Sequence, residues 1–171
     1  MRRLLSIALP AFALDQATKW AIAWPGSPWY LPFDPQHEFL HPVIPEFFYL
    51  VHWGNTGAAF SFMSGRNGFF IVLSLIATVA IFIMNRRGAF PGALSRWGAG
   101  LLLGGIFGNV LDRVIHGHVV DFLLFFLGLP YADPWPAFNV ADSCICIAVG
   151  LFLIASFREE VGESRKVKAD A

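Results

Sequence analysis

Charge is scarce in this sequence, cysteine is nearly absent, and the motifs that mark most soluble chemistry are missing. Only 14% of the 171 residues are charged, against 56% hydrophobic, a balance that excludes an ordinary soluble domain. The formal net charge is zero, so there is no electrostatic footprint for nucleic acid. The two cysteines, Cys144 and Cys146, sit one residue apart in an apolar run. On a helix that spacing points them to nearly opposite sides, which excludes a mutual disulfide; both read as small buried hydrophobes. No His-Glu-x-x-His helix is present, so the His116-Gly117-His118 turn reads as solvated loop rather than a metal site. There is no internal repeat and no low-complexity tract, and the length suits one domain, residues 1–171.

What the chain has instead is long apolar stretches. A bilayer core needs roughly 20 mostly apolar residues per helix. Four stretches meet or approach this: residues 4–24, 67–84, 96–115 and 135–157. The first carries Asp15 and Lys19 and begins like a secretory signal, with Arg2 and Arg3 ahead of an apolar run and Ala11-Phe12-Ala13 as a cleavage-like site. Its hydrophobicity continues to Trp24, however, which makes it a full span. Asp15 and Lys19 are four residues apart and can pair on one helical face.

The basic residues orient the spans. Arg2, Arg3, Arg86, Arg87, Arg96, Arg158, Arg165, Lys166 and Lys168 all fall on one side, against Arg66 and Arg113 on the other. Both termini are therefore expected in the cytoplasm, with loops 25–66 and 116–134 outside. Residues 25–45 are rich in proline and aromatics. Residues 46–53 and 57–62 read as two short strands separated by Gly54-Asn55-Thr56. The apolar stretch 122–129 is too short to span and is expected at the membrane surface; residues 160–171 are expected to form a mobile polar tail. The fold class is thus an all-α membrane protein of four transmembrane helices with a small outer β-element and an interfacial segment.

Ionisable residues within spans raise a functional hypothesis. Asp112 lies 16 residues after Arg96, and Asp142 lies 16 before Arg158. Each is then about 24 Å from the cytoplasmic charges, near the outer edge of the hydrocarbon core. Asp121, nine residues beyond Asp112 on the outer loop, can reach the same level. Asn109, Asp112 and Arg113 share one face of the third span, and Asn139 and Asp142 are three apart at the fourth. Gly104, Gly105 and Gly108 flank that polar face, and small residues let helices pack closely in lipid. Asp15–Lys19 and Asp112–Arg113 can be polar pairs that staple the bundle, the second pair equally a substrate contact. Asp121 and Asp142 have no adjacent cation. Two carboxylates sharing one proton can activate water against a peptide bond; a proton or ion pathway, as in a small transporter or channel, is the alternative.

Five segments then resemble one family, the lipoprotein signal peptidases (signal peptidase II). They are Asp15-Gln16-Ala17-Thr18-Lys19, Asn55-Thr56-Gly57-Ala58-Ala59-Phe60-Ser61, the run from Gly104-Gly105 to Asp112-Arg113, Val119-Val120-Asp121-Phe122, and Phe138-Asn139-Val140-Ala141-Asp142-Ser143. Ile106-Phe107 departs from the smaller residue usual after the glycine pair, and residues 25–45 are long for the family. The resemblance implies an aspartic endopeptidase of the bacterial cytoplasmic membrane that uses no metal or other cofactor. Its expected substrates are prolipoproteins, cut just before a diacylglyceryl-modified cysteine, with membrane lipids and no nucleic acid as further partners. It acts as a monomer in that reading. The catalytic pair maps onto Asp121 and Asp142, and the polar residues that line the site and hold substrate map onto Asn55, Asn109, Asp112, Arg113 and Asn139. A small sheet cradle and an interfacial helix over the site are implied as well.

Overall fold

In the computed structural model, which describes residues 2–57 and 65–169, four helices carry a four-stranded sheet at one end. In chain order these are α1 (Arg2–Ala23), β1 (His41–Ile44), β2 (Phe48–Asn55), α2 (Asn67–Arg86), α3 (Ala93–His116), β3 (Val119–Phe125), β4 (Trp135–Phe138) and α4 (Val140–Ala169). Three helical stretches, Asn67–Arg86, Ala93–His116 and Val140–Arg158, are long and apolar enough to cross a membrane. Helix α1 has the length, at 22 residues, but Asp15 and Lys19 dilute its hydrophobicity. The surfaces of α2 and α4 are lined with exposed Val72, Leu73, Leu75, Ile76, Val79, Val149, Leu153 and Ile154, a distribution suited to lipid and unsuited to water. Ile81 is the single buried residue among those described in α2.

Helix α3 is the centre of the bundle, packing on α1, α4 and α2. Its approach to α1 rests on glycines spaced by four. A β-carbon at Gly100 would lie 2.6 Å from Ile7 Cβ, and one at Gly104 would lie 2.7 Å from the Ala8 carbonyl oxygen and 2.8 Å from Ala11 Cβ. At Gly108 it would strike the Asp15 carboxylate. The residues in contact rise together along both chains, so α1 and α3 run parallel. On the α4 side, Gly105 faces Ala141 and Ile145 while Gly98 faces Ala148 and Phe152; those two helices are antiparallel. Ala141 and Ala148 are fully buried there. Bare backbone packed on bare backbone is how helices associate closely where no hydrophobic force separates protein from solvent. The family departure at Ile106-Phe107 is absorbed easily: Ile106 joins the buried cluster with Leu103 and Ala99, and Phe107 points outward. Gly117, at φ 76, takes the left-handed position that ends α3 and lets its N–H reach the Arg113 carbonyl.

The sheet is antiparallel throughout, in the order β1-β2-β3-β4. It corrects several expectations. The strand expected over 46–53 exists as β2 and runs on through Asn55, but its partners are β1 and the distant β3; most of the second expected strand, residues 58–62, lies outside the described residues. The stretch expected at the membrane surface, residues 122–129, is strand as far as Phe125, because Phe122 and Leu124 are buried against the helices. Residues 135–138, counted within the last span, form β4 opposite β3, since Pro136 and the following asparagine cap delay the helix to Val140. The α4 backbone is helical to Ala169, through the segment expected to be a polar tail. Cys144 is buried, but Cys146 is exposed on the outward face of α4, and neither forms a disulfide.

The glycine packing makes a direct prediction. Gly104→Val drives two methyl groups into the α1 backbone and should lower the melting temperature in detergent by at least several degrees. Gly150→Ala, on a surface with no atom within 4 Å of the new carbon, should leave it unchanged or raise it, since alanine is the better helix former. Equal melting of the two variants would show that α1–α3 contact does not depend on the glycines.

Candidate active site

The polar residues of the spans converge on one cluster where α1, α3, α4 and β3 meet. Asp15 and Lys19 lie one turn apart on the buried face of α1, 0% and 3% exposed. Their expected pairing is present: Lys19 Nζ is 2.9 Å from Asp15 Oδ2. The ammonium also contacts Asp112 Oδ2 at 2.8 Å and donates to Asn109 Oδ1 at 3.0 Å, so all three of its donors are used. Asp112 therefore takes its cation from α1 and not from Arg113, whose adjacent position in sequence points it elsewhere. Arg113 donates to the Gly57 carbonyl at 2.8 Å and lies over the Phe70 ring, its guanidinium carbon 5.1 Å from the centroid.

Each carboxylate of this hub has further work. Asp15 Oδ1 accepts from the Ala141 N–H at 2.8 Å, which caps the start of α4 from a different helix. Asp112 Oδ2 accepts from the Val120 N–H at 3.1 Å, which fixes β3 to the end of α3. Gln16, a residue quoted in the first family segment without a role, donates to Asp15 Oδ2 and Asp112 Oδ1, both at 3.1 Å, and to the Gly108 carbonyl at 3.2 Å. A glutamine beside a buried aspartate in an apolar span was the available signal. Removing Lys19 would leave these buried carboxylates without a cation partner, at a cost of about 3–5 kcal/mol.

The second layer holds Asp121 and Asp142. Asn139 caps α4: its Oδ1 accepts from the Asp142 N–H at 2.9 Å, and Asp142 Oδ2 accepts from the Asn139 N–H at 3.1 Å. This reciprocal pair is a capping box built from asparagine and aspartate, and it presents Asp142 at the positive end of the helix. Asp142 Oδ1 accepts from Asn109 Nδ2 at 2.8 Å. Asn139 Nδ2 reaches Asp121 Oδ1 at 2.8 Å, close also to Asn109 Oδ1 and the Val120 carbonyl. Asn55, at the end of β2, donates to Asp121 Oδ2 at 3.0 Å while its own oxygen accepts from the Gly57 N–H. Asn139 thus contacts both carboxylates, and all the residues singled out from the sequence fall within one connected network.

Burial dominates the electrostatics of Asp121. Asp121, on β3, is 3% exposed; burial first, then the Asp142 carboxylate, push its pKa up to about 7, against the lowering effect of the Asn55 and Asn139 amides. A proton is readily held there near neutrality, and Asp142 beside it accepts from Asn109 Nδ2 and the Asn139 N–H. On the far side of the sheet, burial lowers the His118 and His52 pKa values, and mutual repulsion among His52, His116 and His118 adds to this. Among the described residues, no three His, Cys, Asp or Glu side chains are gathered as a metal site.

Known proteins share this arrangement of chain. A family model described as signal peptidase (SPase) II matches residues 7–158. The lipoprotein signal peptidase of Neisseria gonorrhoeae is 42% identical over 154 residues, covering 86% of this chain and 85% of that one. That of Syntrophotalea carbinolica is 41% identical over 163 residues, covering 94% of each. A solved bacterial membrane enzyme structure at 2.3 Å, obtained by the in meso method, superposes with a TM-score of 0.78 at 31% identity, covering 94% of this chain and 90% of that one.

The raised pKa of Asp121 has a thermodynamic consequence. An unfolded aspartate titrates near 3.9, so between about 4 and about 7 the folded state holds more protons than the unfolded one. Stability then falls as pH rises through that window, the reverse of the usual carboxylate. Between about pH 5 and about pH 8 the native protein should lose on the order of a few kcal/mol relative to Asp121→Asn. Parallel pH profiles of the two proteins in a detergent melt would show that Asp121 carries no raised pKa.

Proposed function

We propose that this chain, which belongs to the signal peptidase II family, removes signal peptides from prolipoproteins as an aspartic endopeptidase, with Asp121 and Asp142 as its catalytic pair. The observation that carries the reading is Asn139, which bonds one carboxylate through its side-chain amide and the other through its backbone N–H. That holds two carboxyl groups from different elements around a common point, at the level where the helices end and the sheet begins.

Asp142, charged, takes a proton from water as the water oxygen attacks the scissile carbonyl carbon. Asp121, protonated, gives its proton to the carbonyl oxygen, and a neutral diol results. As the carbon–nitrogen bond breaks, the proton on Asp142 passes to the leaving amine. One diol hydroxyl returns its proton to Asp121, and the new acid and amine separate. The pair ends in its starting state. Asn55, Asn109 and Asn139 hold the two carboxylates, and Arg113 and Asn55 can meet backbone groups of a peptide unwound to expose its bond. Asp112, Asp15 and Lys19 hold the frame.

The setting follows the same logic. All four helices span the bilayer in this reading, with α1 accepted because its charged pair is buried and saturated inside the bundle. The basic residues at the ends of α1, α2, α3 and α4 place both termini in the cytoplasm, and the sheet lies at the outer face of the bacterial cytoplasmic membrane. The substrate's modified cysteine keeps its acyl chains in the bilayer, which brings the bond before it to the height of Asp142. The single domain acts as a monomer, with lipid as its other partner and no metal in the chemistry.

Two expectations test this. Asp121→Asn and Asp142→Asn should each reduce cleavage of a lipidated precursor by at least about a thousandfold while the protein stays folded and inserted, and chelators should leave the wild-type rate unchanged. A loss of only a few-fold in folded variants sinks the assignment. Burying an acyl chain is worth about 0.8 kcal/mol per methylene, and the membrane already supplies most of that, so its use here is positional. Initial rates on lipidated and unlipidated forms of one precursor, at matched density in one bilayer, should differ by more than tenfold. Equal rates would leave a general intramembrane aspartic protease as the better description.

A further inference from the structure

The His116-Gly117-His118 turn takes no part in the proposed chemistry, and the structure does not leave it simply solvated. His116 is exposed at the end of α3, but His118 is half-buried, with the two rings 6.0 Å apart. A third imidazole, His52 of β2, comes to the same side of the sheet and is 7% exposed. His118 and Asp121 are three apart along one extended run, so they point to opposite faces. The three histidines therefore form a cluster behind the sheet, separate from the carboxylates.

What the cluster touches is the long segment between α1 and β1. The Leu31 N–H reaches the Ile22 carbonyl at 2.9 Å, and the Leu31 carbonyl lies 2.9 Å from His52 Nδ1. A carbonyl can only accept, so Nδ1 carries the proton. The Asp34 N–H then bonds the His52 carbonyl at 2.9 Å, and one residue of β2 thus fastens the segment through both its side chain and its backbone. Phe33, between those two ties, stacks on His118 with centroids 5.0 Å apart and meets His52 edgewise at 5.4 Å. The packing is close: a β-carbon at Gly54 would lie 2.9 Å from His118 Cδ2 and 3.1 Å from Phe33 Cε2. Pro32 and Pro35 flank these contacts and have no N–H to add.

We infer that the His52, His116 and His118 cluster is an acid-sensitive clasp, which holds the segment at residues 31–39 on the edge of β2 while its imidazoles are neutral and lets it go when they are charged. The groups around the cluster offer little to balance a charge. Asp112 of α3 offsets His118, but its oxygens are already engaged by Lys19, Gln16 and the Val120 N–H. Asp34 is turned to the Phe39 and Gln36 N–H groups and the Trp53 indole, and the Phe39 N–H above all holds it below the usual carboxylate range, so it stays charged throughout. Phe33 can take one cation against its face, and His118 occupies that face, which leaves His52 without such relief. Burial lowers the His52 and His118 pKa values, and repulsion within the cluster lowers them further. A released segment would free these rings to titrate near 6.5. The fastened form therefore binds fewer protons than the released one: its hold is complete above about pH 6.5 and weakens as pH falls below that. Release would uncover the edge of β2, the strand that ends in Asn55.

Amide hydrogen exchange of the full-length protein in detergent tests this, with rates corrected for the intrinsic effect of pH. A single imidazole whose pKa differs by one unit between the two forms shifts their ratio by close to tenfold. The Leu31 and Asp34 amides should thus exchange at least about tenfold faster at about pH 5 than at about pH 7.5, with amides in the middle of α3 unmoved. His52→Gln, which can still donate to the Leu31 carbonyl, combined with His118→Phe, which keeps a ring against Phe33, should flatten the response. His118→Phe alone should reduce it, and carries the test if the double variant does not fold. Unchanged protection of Leu31 and Asp34 at about pH 5 overturns the clasp. So does an acceleration shared equally by α3, which would be general acid unfolding, or one that persists undiminished in the folded variants, which would assign it to groups other than these histidines.

Discussion

A single ammonium group, that of Lys19, holds the sheet end of this protein together. It is nearly inaccessible and lies between two buried carboxylates, Asp15 and Asp112, at 2.9 and 2.8 Å. Burying three charges costs several kcal/mol for each ion, and attraction offsets that only where the remaining lone pairs find donors. Here they do. Asp15 takes the Ala141 N–H, Asp112 takes the Val120 N–H, and Gln16 serves both. The backbone groups that satisfy the hub are the start of α4 and the start of β3, the two elements that carry Asp142 and Asp121. The desolvation cost of the hub is thereby turned into position: neither carboxylate can move without unpairing a charge buried beneath it.

The same economy appears one layer out. A helix entering from a sheet leaves N–H groups without partners at its first turn. In α4 they are met by Asp15 from α1, by the Asn139 side chain and by the Asn139 carbonyl, which takes the Ser143 N–H. Asp142 completes the box by reaching back to Asn139. In the proposed chemistry Asp142 is also a reacting group, and the cap aims its side chain. Asp121 is held differently. It sits on a strand, away from any helix end, with two amide donors and little solvent, and its pKa stands near 7.

Much of this was legible in the residues, and the limits have physical causes. Charges in apolar runs are conspicuous, so Asp15, Lys19, Asp112, Asp142 and the asparagines at helical spacing stood out, and the helical rise placed Asp112 and Asp142 at one depth. The sheet was harder. Residues 122–125 are continuously apolar because both faces of β3 are covered, and such a run has no period-two pattern to separate a strand from an interfacial segment. The end of the last span was blurred for the same reason, since β4 and α4 adjoin with equal hydrophobicity and only the Asn139 cap marks the boundary. The Asp112–Arg113 pairing was suggested by adjacency, yet neighbours on a helix diverge by about 100°, and Lys19, 93 positions away, is the true partner. Gln16 was missed because an uncharged polar residue is unremarkable in such a sequence; its role exists only once α1 lies on α3.

The presence of a sheet at all answers a problem that helices leave unsolved. A helix satisfies its own backbone and so has nothing to offer a peptide that must be unwound before it can be cut. In hydrocarbon an unwound peptide is prohibitive, because each bare N–H and C=O costs several kcal/mol. The cut must therefore be made where protein replaces water as a partner, at the end of the spans and not within them. A strand seated there gives a rigid carboxylate, amides such as Asn55 at its border, and an edge whose exposed groups need management. The extra segment before β1 meets that need first, by bonding Asp34 to the open side of His52. Once tied to the edge of β2, the same segment is one residue step from the face that holds Asp121. A loop that covers a strand edge thus also comes to lie beside the face that holds Asp121.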